Sequence, residues 1–256
     1  MRGARILRPF RESPRLVRRE GAERTDLWTE TVGALPPVYG ERWIESNGRD
    51  YRLFEPGRSK LAAAVTRGWT GDLPRPGERW LYLGAASGTT ASHVADLVGP
   101  SGRVYAVEKS VRPFSRLYAL SDRWPNLFPI LADAREPVRY SDLVPEVDGV
   151  YSDVAQPDQL TIVLRNAELF LRAAGSPLLI ALKTASMGRD RAPAGHLADG
   201  ERALESVVDL EPSVKLDPFH RAHYLLGGRA RPTLLGERGP ETIKPRPARS
   251  RGPRRR

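Results

Sequence analysis

Apolar positions divide the chain into two rhythms. Between residues 38 and 54 they alternate with polar ones over short stretches, first around Val38-Tyr39 and Trp43-Ile44, then, after Asn47-Gly48, along Tyr51-Arg52-Leu53-Phe54. A period of two marks strands with one buried face, and Asn-Gly between two such runs is a strong signal for a two-residue hairpin turn. This segment predicts a small, hairpin-rich β unit. From Ser59 the units lengthen and change in kind. Ser59 is placed to cap a helix running to residue 69, and an apolar strand follows at 80–83. Helical stretches at 92–98, 113–121 and 160–173 separate strands at 104–107, 128–131, 149–152 and 178–182. Strands alternating with helices build a parallel sheet covered on both faces. The last two strand-like runs, 214–219 and 224–226, are joined by four residues. That is too short for a parallel crossover, so they pair antiparallel.

Outside these units the pattern fades. Residues 1–25 show no sustained period and read as a basic, poorly ordered arm; residues 231–256 read as a Pro/Arg-rich basic tail. Between them the reading places a β-rich domain at 26–56 and an α/β domain at 57–230.

Composition narrows the class. With 40% hydrophobic and 28% charged residues, the 256-residue chain can bury one sizeable core, and a collagenous, coiled-coil or wholly disordered protein is excluded. The longest apolar runs, such as 178–182, fall far short of the ~20 residues of a membrane helix, so no membrane partner is expected. The basic first residues have no apolar stretch behind them and do not read as a secretory leader. Without cysteine there is no disulfide framework, thiol nucleophile or Cys-ligated zinc site. No cluster of His, Asp and Glu has the spacing of a metal site.

The net charge of +10 is concentrated at the ends. Residues 1–24 hold eight Arg against three acids, and residues 244–256 hold one Lys and six Arg with no acid, which leaves 25–243 at −2. Basic arms on a near-neutral body suit an anionic polymer, since each arm can neutralise phosphates and release counterions. Only five of the 41 basic residues are lysines: Lys60, Lys109, Lys183, Lys215 and Lys244. In an Arg-biased chain, a retained lysine marks a position where a compact ammonium is needed.

The first strand of the α/β part runs into Gly84-Ala85-Ala86-Ser87-Gly88-Thr89-Thr90. A glycine turn opening a helix lets a ligand approach free backbone N–H groups. Ala86 stands where the dinucleotide fingerprint has its second glycine, which argues against a nicotinamide or flavin site. The next strand ends in Glu108, about 20 residues on, where a carboxylate can hold both ribose hydroxyls of a nucleoside. The third ends in Asp133-Ala134, where an acid can accept from an adenine amino group. These acids repel a pyrophosphate and suit a cationic nucleoside such as S-adenosylmethionine, whose sulfonium would lie near Asp153 at the end of the fourth strand.

These motifs match a family. Residues 81–90, Ser92-His93-Val94, Asp133-Ala134-Arg135, the run Asp153-Val154-Ala155-Gln156-Pro157-Asp158-Gln159, and Arg58-Ser59-Lys60-Leu61 together resemble fibrillarin, especially its archaeal, fibrillarin-like form, over roughly residues 38–226. The resemblance implies a class I methyltransferase: a Rossmann-like, mostly parallel seven-stranded sheet ending in an antiparallel strand, plus a small N-terminal β-rich domain. It implies transfer of a methyl group from S-adenosylmethionine to ribose 2′-hydroxyls of rRNA, with tRNA as a further candidate substrate, directed by box C/D guide RNA. It also implies a particle with a Nop-family coiled-coil scaffold and a kink-turn-binding protein. The expected compartment is cytoplasmic for an archaeal-type protein and nucleolar for a eukaryotic one. The cofactor pocket would be lined by Gly84, Ala86, Gly88, Thr89, Thr90, Glu108, Lys109, Asp133, Ala134, Asp153, Val154, Ala155 and Gln156. The family's catalytic set maps onto Lys60, Asp153, Lys183 and His223.

Topology brings that set together independently. Asp153 and Lys183 end parallel strands, Lys60 begins a helix, and His223 begins a strand leaving a tight turn, so all four face one sheet edge. A ribose 2′-hydroxyl must lose its proton as it attacks, which makes Lys183 the candidate base, Asp153 its orienting partner, and Lys60 and His223 the groups that hold the hydroxyl or a neighbouring phosphate. Taken singly, Lys183 also fits a snorkelling strand-end lysine and Lys60 a solvated helix start. The sequence departs from the family at Ala222, where an Asp commonly precedes the histidine, and His220 stands nearby as a competitor. Two other readings stay open: a non-catalytic RNA-binding subunit with a retained fold, and a small-molecule O-methyltransferase.

Overall fold

The computed structural model describes residues 8–10, 13–20, 25–33, 37–188 and 192–236. Among the described residues, five strands precede the first helix: β1 (Arg8–Phe10), β2 (Ser13–Glu20), β3 (Thr25–Glu30), β4 (Trp43–Ser46) and β5 (Arg49–Leu53). They form one antiparallel sheet in the order β1-β2-β3-β5-β4. Asn47 and Gly48 join β4 to β5 with φ of +54° and +71°. Positive φ at both central positions is the type I′ geometry whose twist matches the strands it connects.

The expectation of a poorly ordered arm over residues 1–25 is corrected, because β1 and β2 are built from it. Among the arginines of β2 lie Leu16, which joins the main core, and Val17, which packs with Trp28, Tyr51 and Leu53 on the opposite face. Arg15, counted above as free charge, is structural. It donates through Nε to the Asp96 carbonyl at 2.6 Å and through its terminal nitrogens to Glu30 Oε1 and the Glu30 carbonyl at 2.9 and 2.8 Å.

The second part runs α1 (Lys60–Thr66), β6 (Arg79–Leu83), α2 (Thr89–Val98), β7 (Arg103–Glu108), α3 (Val111–Ser121), β8 (Leu127–Leu131), β9 (Gly149–Ser152), α4 (Gln159–Phe170), β10 (Pro177–Lys183), α5 (Pro193–Leu204), β11 (Val208–Leu210), β12 (Val214–Lys215), β13 (His223–Ala230) and α6 (Pro232–Leu235). Its sheet has the order β11-β13-β10-β9-β6-β7-β8, with the two-residue β12 paired to β13. Strands β10, β9, β6, β7 and β8 are parallel neighbours, and β13 runs antiparallel to β10, β11 and β12. This is the Rossmann-like methyltransferase fold. The strand order reverses at β6 and β9, the switch point where ligands bind at the carboxyl ends of an open α/β sheet. Alternation along β6 serves both faces: Trp80 and Tyr82 enter the core beneath α1 and α2, while Leu81 and Leu83 enter the core on the α4 side.

Two segments differ from the sequence reading. Between residues 184 and 213, left without elements above, α5 and β11 form; Pro193 opens α5 at its first position, where its missing N–H costs no helix bond. At the other end order continues past 231, because α6 inserts Leu234 into the core against α4. The rest of the basic tail, 237–256, lies outside the described residues. Among the described residues no helix is long and apolar enough to cross a membrane.

Candidate active site

The loop after β6 shapes the site. Gly84 N and Ala85 N donate to the Val107 carbonyl at 2.9 and 3.0 Å, folding the loop back over β7. Gly84 has φ +76°, and a Cβ there would lie 2.9 Å from the Asp153 carbonyl oxygen. Only glycine lets the Asp153 backbone sit this close. Ala86, at φ +48°, takes the left-handed conformation without being glycine. Its N–H donates to Glu108 Oε2 at 2.9 Å, while Glu108 Oε1 accepts from Ser110 N at 2.7 Å. Glu108 thus anchors both lips of a cleft and keeps lone pairs for further donors.

The cleft has a volume of about 270 Å³ and lies at the carboxyl ends of β6, β7, β8 and β9. Of the expected cofactor residues, Gly84, Ala86, Glu108, Lys109, Asp133, Ala134, Asp153, Val154, Ala155 and Gln156 line it. Gly88, Thr89 and Thr90 stand outside this lining. Gly88 caps α2 and faces α3, where an added Cβ would meet Leu120 Cδ1 at 2.5 Å. Thr90 is buried and donates to Ser59 Oγ at 3.0 Å. Val107, Ser110, Ala132 and Ile162 also line the cleft and were not anticipated; the first three each flank a motif position, and Ile162 lies in the first turn of α4 after the run 153–159.

Asp133 is held by Arg135 in a forked ion pair, with Nε at 3.1 Å from both carboxylate oxygens and a terminal nitrogen at 2.6 Å from Oδ2. Hydrogen bonding to Arg135 pulls its pKa down to about 2. It is therefore an obligate acceptor near neutral pH. With acids at three strand ends and apolar walls from Val107, Ala132, Val154 and Ile162, the donor set suits a cationic nucleoside and fits S-adenosylmethionine.

Beside the cleft, Lys60 Nζ lies 2.8 Å from Asp153 Oδ1 and 2.9 Å from Oδ2. Burial pushes the Asp153 carboxyl up, against the opposing pull of Lys60, then His220 and Lys183. Ser59 fixes where Lys60 starts: its Oγ accepts from Ala62 N at 3.3 Å as the N-cap of α1. Lys183 is the last residue of β10 and pairs in register with His223 on β13. His223 is half-buried, with Nδ1 2.8 Å from the Arg221 carbonyl, and desolvation lowers its pKa. His220 Nε2 lies 2.8 Å from the Pro56 carbonyl, and its pKa too is lowered by desolvation. The two rings meet edge to face at 6.0 Å. Ala222 between them has φ +56°; its carbonyl accepts from Thr184 N and Thr184 Oγ1 at 3.1 and 2.9 Å. The structure thus brings Lys60, Asp153, Lys183 and His223 to one edge and adds His220.

Residues 16–232 match the fibrillarin family across the β unit and the methyltransferase fold together. The chain belongs to the fibrillarin family. The fibrillarin-like rRNA/tRNA 2′-O-methyltransferase of Aeropyrum pernix is 45% identical over 191 residues, covering 74% of this chain and 81% of that protein. The structure of Aeropyrum pernix fibrillarin with natively bound S-adenosyl-L-methionine aligns with a TM-score of 0.75 at 39% identity, over 88% of this chain and 97% of that one. A fibrillarin/Nop5p complex aligns with a TM-score of 0.73 at 37% identity, over 80% of this chain and 93% of that one. These fibrillarins share the β unit as well as the Rossmann-like sheet, since the coverage extends beyond the α/β part.

Proposed function

We propose that this fibrillarin is the catalytic subunit of a box C/D guide-RNA particle and transfers a methyl group from S-adenosylmethionine to ribose 2′-hydroxyls of rRNA and tRNA. The observation that carries the proposal is the contact between the nucleoside-type cleft and the Lys60–Asp153 pair: Asp153 lines the one and completes the other. When bound, S-adenosylmethionine supplies a methyl group already activated by its sulfonium. Glu108 would hold the ribose hydroxyls, Asp133 the adenine amino group, and the loop around Gly84 and Ala86 the nucleoside edge. Asp153 would face the positive charge, where its ionised form is favoured in spite of burial.

The rest of the work is proton transfer and placement. Lys183 would take the 2′-hydroxyl proton, and Lys60, held by Asp153, would fix the hydroxyl. A histidine at the β13 start, His223 or His220, would hold the neighbouring phosphate or hydroxyl; burial keeps both rings neutral and able to donate and accept. Positioning supplies most of the acceleration, because the leaving group needs little help.

The body at −2 grips RNA weakly by itself, which suits an enzyme carried to its target by a Nop-family scaffold, a guide RNA and a kink-turn-binding protein. Its compartment follows the host, cytoplasmic or nucleolar. The deciding experiment is methyl transfer to a guided RNA oligonucleotide by a reconstituted particle, with Lys183→Ala beside wild type. A loss of about 10²-fold or more is expected. Full activity in the variant would remove Lys183 from the mechanism, and no S-adenosylmethionine binding by titration calorimetry would favour a non-catalytic subunit.

A further inference from the structure

Lys183 pairs with His223 on one side of β10 but lies beyond the end of β9 on the other. Strand β9 pairs with β10 as far as Ser152 opposite Ile180, so on that side the Lys183 peptide has outrun its neighbouring strand. A side chain takes the strand's place. Gln159 Oε1 accepts from Lys183 N at 3.0 Å, and Gln159 Nε2 donates to the Lys183 carbonyl at 3.1 Å. One amide supplies the acceptor and the donor that a longer β9 would have offered from two of its residues. Gln159 is fully buried and is the first residue of α4, and its own N–H donates to the Gln156 carbonyl at 3.2 Å. The segment 153–159 therefore lines the cofactor cleft at one end and grips the root of Lys183 at the other.

We infer that Gln159 is a positioning residue for methyl transfer, clamping the Lys183 peptide so that its side chain leaves the sheet at a fixed height beside the cofactor cleft. The inference rests on the reading of Lys183 as proton acceptor. A lysine side chain has four rotatable bonds, and the fold controls only where it is rooted. Were the root free, its amine would move by an ångström or more, and a displacement of that size costs about 10²-fold in rate. The clamp also explains why a glutamine, with one donor and one acceptor face, stands where a helix start more often has a small or acidic residue.

The test uses single-turnover methylation by the particle reconstituted with guide RNA, scaffold and kink-turn-binding protein on a complementary RNA oligonucleotide. Gln159→Met keeps the volume and removes both bonds. Its rate is expected to fall about 10- to 100-fold while the affinity for S-adenosylmethionine, measured by calorimetry, stays at the wild-type value. Gln159→Glu carries the specific signature. A protonated carboxyl offers one donor and one acceptor, as the amide does, whereas a carboxylate only accepts and faces the Lys183 carbonyl with like polarity. The rate of Gln159→Glu relative to wild type should rise as pH is lowered, and that of Gln159→Met should not. A wild-type rate in Gln159→Met, or a pH-independent ratio for Gln159→Glu, overturns the clamp. If Gln159→Met does not fold, the Gln159→Glu ratio decides alone. Lys183→Ala run alongside separates the two failures: full activity there removes the underlying reading, while an inactive Lys183→Ala beside a fully active Gln159→Met leaves that reading intact and refutes the clamp.

Discussion

Two cation–carboxylate pairs organise this fibrillarin, and they are built to opposite specifications. Where the β unit meets α2, Arg52 and Asp96 have side chains that are 0% exposed, and Asp96 is saturated. Its Oδ1 accepts from Trp124 Nε1, Val32 N and Thr31 Oγ1 at 2.9, 2.9 and 3.2 Å. Its Oδ2 accepts from Arg52 at 2.6 and 3.1 Å and from Thr29 Oγ1 at 3.0 Å. Arg52 also donates to Glu41 Oε1 at 2.6 Å and Ser92 Oγ at 3.2 Å, and lies over the Trp124 ring. At the sheet edge, Lys60 and Asp153 keep 22% and 17% of their side chains exposed, and Lys60 provides the side-chain hydrogen bonds to Asp153 among the described residues. The sealed pair has no capacity left for a ligand. The open pair holds its geometry with lone pairs and protons to spare, which a site needs and a joint between domains does not.

The largest expected effect comes from breaking the sealed pair. Asp96→Ala takes one of two carboxylates from a buried guanidinium and an acceptor from four further donors, and should cost about 3–5 kcal/mol in urea unfolding, a large part of the 5–15 kcal/mol typical of a domain. A loss below about 1 kcal/mol would show that water enters the cluster and that the two pairs differ less than their burial implies. The open pair should respond in the reverse sense. Lys60→Ala is expected to lower the methyl-transfer rate by about 10²-fold with a stability change under about 1 kcal/mol. With its first opposing charge gone, Asp153 is pushed further up by burial and takes up a proton more readily. A stability loss as large as that of Asp96→Ala would make Lys60 a structural residue and erase the distinction.

The same contrast governs what the sequence made legible. The open site is written in short motifs: the glycine loop at 84–88, the acids at strand ends and the run 153–159 are each local, and strand-end geometry alone brings them together. The sealed cluster is not local. Glu41, Arg52 and Asp96 are separated by 11 and 44 residues and read singly as solvated charges. Arg15 misled in the same way, since its partners Glu30 and Asp96 become neighbours only once β2 has paired with β3. The helix α5 was hidden by Gly200 in its middle, which reads as a breaker but lets Leu226 and Leu182 pack at 3.4 and 3.5 Å from where its Cβ would be. Gln159 belongs to the run 153–159, yet its role depends on where β9 stops, and period alone does not give that.

A smaller effect tests how tightly the joint is sealed against protons. His93 is buried with Nδ1 2.8 Å from Thr29 Oγ1 and Nε2 3.0 Å from the Tyr39 hydroxyl, and stacks on Phe54. Asp96 Oδ2 lies 4.0 Å from Nδ1 but is already committed to Arg52 and Thr29. Burial, then the Arg52 charge, lowers the His93 pKa well below 6.5. The unfolded chain therefore binds the extra proton below pH about 6.5, so this contribution is full above that value and is lost as pH falls, at up to about 1.4 kcal/mol per unit. His220 and His223 are shifted in the same direction and add to the slope. Urea midpoints of wild type and His93→Gln at pH 7.5, 6.5 and 5.5 isolate the His93 share. Equal slopes in the two proteins would mean that the joint admits a proton as easily as the open site does.

The smallest effect probes the link between the two regions. Helix α2 carries Asp96 and His93 into the sealed joint, and one turn earlier it carries Thr90, whose Oγ1 donates to the Ser59 hydroxyl that caps α1 just before Lys60. Thr90→Val preserves the shape and removes the hydroxyl. Ser59 keeps its cap on Ala62 N, so the expected cost is one neutral hydrogen bond, about 1 kcal/mol. If α2 transmits the rigidity of the joint to the Lys60–Asp153 pair, the methyl-transfer rate should fall several-fold beyond what this stability loss explains, since at a temperature where all the protein is folded a loss of 1 kcal/mol leaves the enzyme concentration unchanged. A wild-type rate at such a temperature would show that Lys60 is set by its own cap and by Asp153. The sealed pair would then hold the β unit in place without reaching the site.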